Sequence, residues 1–277
     1  MRNGKNKMVE LRCPICRERL EKADKSLRCK NLHSFDISSD GYVNLGCNKG
    51  GSGDDRMMCR ARRDFLRKDY YRPFASELAR TVRSLFPDKV SVLDAGCGEG
   101  YYLRAAAGMY GGDNFSGLGI DLAKDSVRFA SKLLKTETHD IFYAVCGIFD
   151  MPVFDCSFDC VLSVFAPIPE KEAARVLKEK GKLIVCHPGA DHLDGMKSAI
   201  YESTYKNDET AKELSLFKHI SDTRCRYSSH IEKEDLSNLL AMTPYYWKTS
   251  KADAEKYLSL DFVDTNLDFI ISVYEKI

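Results

Sequence analysis

The chain has no run approaching eighteen consecutive apolar residues, which excludes a membrane-spanning helix of ordinary length. Its opening residues, MRNGKNKMVELRC, contain no apolar segment of the kind a secretory leader needs. No internal repeat is present. Cysteine is not scarce, but its pattern lacks the regularity of a disulfide scaffold. There are 11, an odd number, and Cys47, Cys59, Cys97, Cys146, Cys156, Cys160, Cys186 and Cys225 are scattered, mostly singly among apolar residues. That usage suits a reduced, cytoplasmic protein whose thiols are mostly buried. Net charge is also nearly absent, at +1, yet it is unevenly divided. Residues 1–90 hold 21 Lys and Arg against 12 Asp and Glu, a net +9, and residues 91–277 hold 21 against 29, a net −8. A basic first third on an acidic remainder predicts a polyanion-facing module joined to a different machine, with no membrane partner.

Cys13, Cys16, Cys29 and His33 stand apart from the other thiols. A Cys-x-x-Cys pair followed by Cys-x-x-x-His supplies four soft ligands, which fill a zinc tetrahedron and leave no open position for water. The expectation is a structural Zn2+ ion in a module too small to fold without it. A DNA-reading finger would place its last ligands on a helix. Here CKNLHSFD runs into ISSDGYVNL, which has no helical pattern, so a ribbon-like clip facing RNA fits better.

Residues 46–55, GCNKGGSGDD, read as a flexible linker. Residues 55–86 carry a helical pattern with Phe65, Leu66, Phe74, Leu78, Val82 and Leu85 on the packed face. Arg56, Arg60, Arg62, Arg63, Arg67, Lys68 and Arg72 crowd the same segment, and Arg60, Arg63 and Arg67 share a face that could follow a phosphate backbone. From residue 89, short apolar runs (KVSVLDAG, FSGLGID, IFYAVCG, FDCVLSVF, GKLIVCHP and finally LDFIISVYEK) alternate with helical stretches (GYYLRAAAGMY, AKDSVRFASKLLK, PEKEAARVLKEK, DHLDGMKSAIYEST). That alternation predicts an α/β fold with a mostly parallel sheet. The expected division is a zinc module at 1–45, a linker and basic helical segment at 46–86, and an α/β domain at 87–277.

VLDAGCGEGYY is the most informative stretch. A strand ends at Asp94, and Gly96, Gly98 and Gly100 follow within six residues before a helix opens. The glycines allow a sharp turn and close approach of a ligand. The spacing D-x-G-x-G-x-G differs from the G-x-G-x-x-G of dinucleotide sites. It resembles motif I of class I S-adenosylmethionine-dependent methyltransferases, and an acidic residue there suits a sulfonium better than a pyrophosphate. Asp121 ends the next strand, where a carboxylate accepts from ribose hydroxyls. The third strand has Gly147 where such enzymes often carry Asp, leaving Phe149 or the backbone to hold adenine.

In order, the zinc tetrad, FDISSDGYVNL, RMMCRARRDFL, YYRPF, VLDAGCGEGYY, FAP, HPGADHL and MTPYYW resemble the RlmA (RrmA) family of 23S ribosomal RNA guanine-N1 methyltransferases over about residues 11–275. The resemblance implies a class I Rossmann-like domain with a seven-stranded sheet, S-adenosyl-L-methionine as cofactor, 23S rRNA as partner with a guanine of the helix 35 loop as target, and a homodimer. It also implies cofactor contacts at Tyr71, Gly98, Glu99 and His192, beside Asp94, Gly96, Gly100 and Asp121 from the loop and strand ends. For a base at guanine N1, Asp150, Glu170 and His192 are the candidates. VFAPIPE, residues 164–170, stiffened by Pro167 and Pro169, is the expected wall of the acceptor pocket. Tyr101, Tyr102, Phe165, Tyr245, Tyr246 and Trp247 are candidate stacking platforms. A methyltransferase of a small molecule or of another RNA, and a nucleic-acid-binding regulator that senses the cofactor, are the rival readings.

Overall fold

A computed structural model describes residues 11–46, 54–134, 140–204 and 206–277; most of the expected linker, residues 47–53, lies outside them. Two tight turns, each carrying two of the four expected metal ligands, come first among the described residues. In each, a residue in the left-handed region follows the tight bend, Arg17 (φ 65°) after Cys16 and Leu32 (φ 64°) before His33. Between and after them run three short antiparallel strands, β1 (Glu21–Ala23), β2 (Ser26–Arg28) and β3 (Ser34–Asp36). Two helices follow β4 (Val43–Asn44): α1 (Arg56–Leu66), capped by the Asp55 side chain on Met58 N–H, and α2 (Arg72–Leu85), with Pro73 in its first turn.

The remainder alternates as expected: β5 (Val90–Ala95), α3 (Tyr101–Ala107), β6 (Phe115–Asp121), α4 (Lys124–Leu134), β7 (Asp140–Val145), β8 (Phe158–Val164), α5 (Glu170–Val176), β9 (Leu177–Pro188) and α6 (Asp194–Ile200). The end adds β10 (Phe217–Glu232), α7 (Lys233–Ala241), α8 (Lys251–Leu258) and β11 (Phe262–Lys276). One sheet runs β10-β11-β9-β8-β5-β6-β7-β4, parallel except that β11 lies antiparallel to both its neighbours.

The sheet therefore has eight strands and not seven. The eighth is β4, which belongs to the zinc module and pairs in parallel with β7 (Val43 against Ala144, Asn44 against Val145). The two parts also share a core. Leu11, Leu20, Leu27, Val43 and Leu45 pack with Ala144, Cys146, Met151, Val153 and Phe158. Segment 46–86 is likewise more than a tether: Phe65, Phe74, Leu78 and Val82 sit in the same core as β5, β8 and β11. Two expected helices are shorter than their patterns. PEKEAARVLKEK stops at Val176 because Leu177 turns extended, is buried, and pairs with Phe158 of β8. DHLDGMKSAIYEST is helical only from Asp194, so His192 lies on the preceding loop. Among the described residues no helix is long and apolar enough to cross a membrane.

Candidate functional site

The four metal candidates converge. The ligand atoms of Cys13, Cys16, Cys29 and His33 all lie within 4.8 Å of one another. Cys16 Sγ is 3.6 Å from Cys29 Sγ, and His33 Nδ1 is 3.5 Å from Cys13 Sγ and 3.4 Å from Cys29 Sγ. Ligands about 2.0–2.3 Å from one tetrahedral centre stand roughly 3.5 Å apart, so the cage fits zinc. The Glu18 backbone N–H brings the Cys16 thiol down to about 6, toward the thiolate a metal needs.

The glycine-rich turn sits at the carboxyl ends of β5 and β6, the edge at which open α/β sheets bind ligands. Gly96, Gly98 and Gly100 all have positive φ. A Cβ on Gly100 would stand 2.1 Å from Tyr143 Oη, whereas one on Gly98 would meet nothing within 4 Å. Gly98 thus faces open space suited to a ligand, and Gly100 is needed for packing beneath it. Asp121 anchors the turn, accepting from Gly98 N–H at 2.9 Å and from Ala123 N–H at 2.7 Å.

Asp94 and Glu99 are the site's unsatisfied groups. Asp94 is fully buried, and neither of its carboxylate oxygens has a hydrogen-bond partner among the described residues. Burial, reinforced by the charges of Asp121 and Glu99, pushes it up to about 8. Glu99 Oε1 is also buried without a partner, and burial raises Glu99 as well. Buried oxygens of this kind call for a donor or a cation. The sulfonium and ammonium groups of S-adenosylmethionine meet that demand, and a pyrophosphate does not.

Tyr71 and His192, two other expected contacts, lie together. Both are buried, and their rings pack with Phe269. The Asp268 backbone N–H donates to His192 Nδ1 at 3.3 Å. An accepting Nδ1 leaves the proton on Nε2, which donates to Tyr71 Oη at 3.4 Å. The Tyr71 hydroxyl proton then remains available to a ligand. Burial drives His192 down to about 3, so the imidazole is neutral and presents a donor, contrary to its candidacy as the base.

Asp268 was not anticipated from the sequence. It is fully buried, bound by the Arg224 guanidinium at 2.9 and 2.7 Å, and accepts from Asp191 N–H at 3.1 Å, so it locks the loop that carries His192. Arg224 belongs to β10, a strand whose inward positions (Thr223, Cys225, Tyr227, Ser229) show no strong apolar alternation.

The other candidates divide. Asp150 is exposed and bonded through both oxygens to Arg17 of the zinc module, which holds its carboxyl below the usual range. Glu170 caps Leu216 N–H and Ser215 Oγ. Both carboxylates have structural partners, and neither is presented as a base. Phe165 lies between β8 and α5 with φ 54°, strained for a non-glycine residue. It is 44% exposed, while its ring neighbours Phe74, Tyr102 and Phe269 are buried. Phe149, after β7, is 66% exposed. Trp247 is exposed, Tyr102 is buried, and Tyr101, Tyr245 and Tyr246 are half-buried.

The basic helix splits as well. Arg60 and Arg67 are exposed and have no ion-pair partner among the described residues. Arg63 instead lies 4.4 Å over the Phe129 ring and binds Asp64, so it leaves the expected stripe. Arg62 points inward and pairs with Asp54.

Comparisons with known proteins agree with this geometry. Residues 11–46 match the family described as RlmA, N-terminal, a zinc ribbon, and residues 92–183 match a methyltransferase domain. The 23S rRNA (guanine(748)-N(1))-methyltransferase of Streptomyces fradiae is 31% identical over 253 residues, covering 88% of each chain. YxjB of Bacillus subtilis, a protein assigned to the 23S rRNA (guanine-N(1)-)-methyltransferases, is 31% identical over 273 residues and 95% of each chain. Among solved structures, the YcgJ protein from Bacillus subtilis aligns with a TM-score of 0.46 at 15% identity, covering 72% of this chain and 98% of its own.

Proposed function

The chain belongs to the RlmA family of 23S rRNA (guanine-N1)-methyltransferases, and on that premise we propose that it transfers a methyl group from S-adenosylmethionine to N1 of a guanine in the helix 35 loop of 23S rRNA. The observation that carries this reading is that the module holding the metal tetrad adds its strand β4, against β7, to the sheet that carries the D-x-G-x-G-x-G turn. A small-molecule methyltransferase has no use for such a union.

S-adenosylmethionine, when bound, supplies an electrophilic methyl group on a sulfonium. The residues of this chain orient and shield it. Gly96, Gly98 and Gly100 shape the turn beneath it, and Asp94 and Glu99 offer its cationic groups carboxyl oxygens that have no partner among the described residues. Asp121 faces the ribose, with Tyr71 and His192 as neutral donors. Positioning of this kind supplies much of the acceleration in group transfer. Guanine N1 lies on the Watson–Crick edge, so the base must be unpaired or turned out of its stack. The exposed, strained Phe165 offers it a stacking face beside the acceptor loop. Zinc held by Cys13, Cys16, Cys29 and His33 is structural. Its module carries exposed Arg19, Lys22, Arg28 and Lys30 and an exposed Leu32 at a knuckle tip, a surface suited to an RNA loop. A homodimer and a cytoplasmic location follow from the family reading, and sedimentation tests the former.

Primer extension tests the reaction. 23S rRNA lacking the modification is incubated with the zinc-loaded protein and S-adenosylmethionine. Because N1 methylation blocks base pairing, a new stop in helix 35 is expected one nucleotide before the target, and it names the guanine. A stop elsewhere in the rRNA overturns the helix 35 assignment, and no stop on either naked RNA or assembled subunits overturns the reaction.

A further inference from the structure

Arg62 lies one helical turn before Phe65, whose ring packs edge-on against the Tyr71 ring at 5.6 Å, so this face of α1 borders an expected cofactor contact. Arg62 is 28% exposed. Its Nη1 donates to the Asp54 carboxylate, while its Nε and Nη2 have no bonding partner among the described residues. The guanidinium is therefore held from one edge, and its other edge is offered. Its surroundings are acidic. Its charge is felt at Asp54 and Glu99, by Asp121 at the end of β6, and at the buried Tyr71 hydroxyl. Asp94, Glu99 and Asp121 line the floor of the site with carboxyl groups, which suit an ammonium and a sulfonium but offer nothing to a carboxylate. The amino-acid end of S-adenosylmethionine carries both an ammonium and a carboxylate, so the acids explain only half of it.

We propose that the free Nε/Nη2 edge of Arg62 binds the carboxylate of the cofactor's amino-acid moiety, with Asp54 as a positioning residue that holds the guanidinium in place. The inference rests on the proposed use of S-adenosylmethionine. A planar fork matches a carboxylate with two parallel hydrogen bonds, which a lysine cannot reproduce. The acids and the arginine then form a paired receptor for a zwitterion, and Asp54 fixes the fork beforehand, so little side-chain freedom is lost on binding. Arg62 thereby differs in role from Arg60 on the same helix and from Arg67 just past its end, which face solvent.

Titration calorimetry with two probes tests this without turnover. S-adenosylhomocysteine has the amino-acid end, and 5′-methylthioadenosine has the same nucleoside and thioether but lacks it. Arg62→Gln should weaken S-adenosylhomocysteine by about 10- to 100-fold, the range of charge-assisted hydrogen bonds, and leave methylthioadenosine within about twofold of wild type. Arg62→Lys keeps the charge beside Asp54 and loses the fork. It should lose at least about threefold on S-adenosylhomocysteine alone, and it carries the test should the Gln variant fold poorly. Equal losses on both probes overturn the proposal in favour of a packing role, and so does an unchanged affinity for S-adenosylhomocysteine. A wild-type protein that binds neither probe overturns the parent reading of the site and this inference with it. One that binds both equally overturns only the carboxylate anchor.

Discussion

Residues 11–46 and residues 90–277 meet the same requirement, burial sufficient to hold a fold, on different scales. The zinc module has three strands of three residues each, the two-residue β4, and few fully buried side chains of its own, so a metal cage takes the place of a core. The α/β part buries whole strands. In β5, β6 and β8 nearly every residue is inaccessible, and the glycine turn rests on that rigid floor. The two are nevertheless not independent, because the inner face of the module is completed by β7 and the segment after it. The comparison shows that four side chains at the right spacing can stand in for a core only where a neighbour finishes it.

The largest expected effect on that comparison comes from the metal. Cys13→Ser should remove zinc, measured by metal analysis, and abolish RNA methylation, a loss on the order of 100-fold or more, while S-adenosylhomocysteine binding stays within about threefold. Loss of both activities together would mean that the sheet depends on the module as much as the module depends on the sheet.

A smaller effect belongs to the buried acid. Asp94 in the folded protein is raised to about 8, above its ordinary value near 4, so between those values the native state keeps a proton that the unfolded chain releases. Its contribution therefore favours folding less as pH rises from about 4 to 8. Asp94→Asn should raise the melting temperature of the ligand-free protein by several degrees at pH 7.5, have little effect near pH 4, and weaken S-adenosylhomocysteine. A variant whose pH–stability curve parallels that of wild type would place the titration elsewhere.

The smallest effect is at the seam. Arg17 and Asp150 join the two parts with an exposed ion pair, one guanidinium nitrogen donating to both carboxylate oxygens, so Arg17→Ala should cost no more than about 1 kcal/mol in denaturant unfolding and fade in high salt. A larger cost would make that pair, and not the shared apolar core, the principal link.

Local spacing made the parts of the site legible. Cys13, Cys16, Cys29 and His33 announce a cage because ligand geometry constrains short intervals, and Asp94 to Gly100 announce a cofactor turn for the same reason. Continuous apolar runs revealed six strands. What stayed hidden depended on distant partners. Strand β10 is an edge strand whose half-buried residues are Thr, Cys, Tyr and Ser, so no hydrophobic alternation marks it, and the Arg224–Asp268 pair that braces the His192 loop could not be read without it. Strand β4 is two residues long, and its role follows from pairing across about 100 positions of sequence. Arg62 stood only among the crowded basic residues and Arg63 in the stripe with Arg60 and Arg67, and only packing sends them to Asp54 and Phe129.

The β4–β7 pairing bears on solubility. An unpaired strand edge is a template for other chains. β7 is hydrophobic along much of its length, with Ile141, Phe142, Tyr143, Ala144 and Val145 in succession, and β4 covers its far end. A chain starved of zinc would loosen that cover and expose a sticky edge, so metal-poor growth should appear as aggregated protein before it appears as lost methylation.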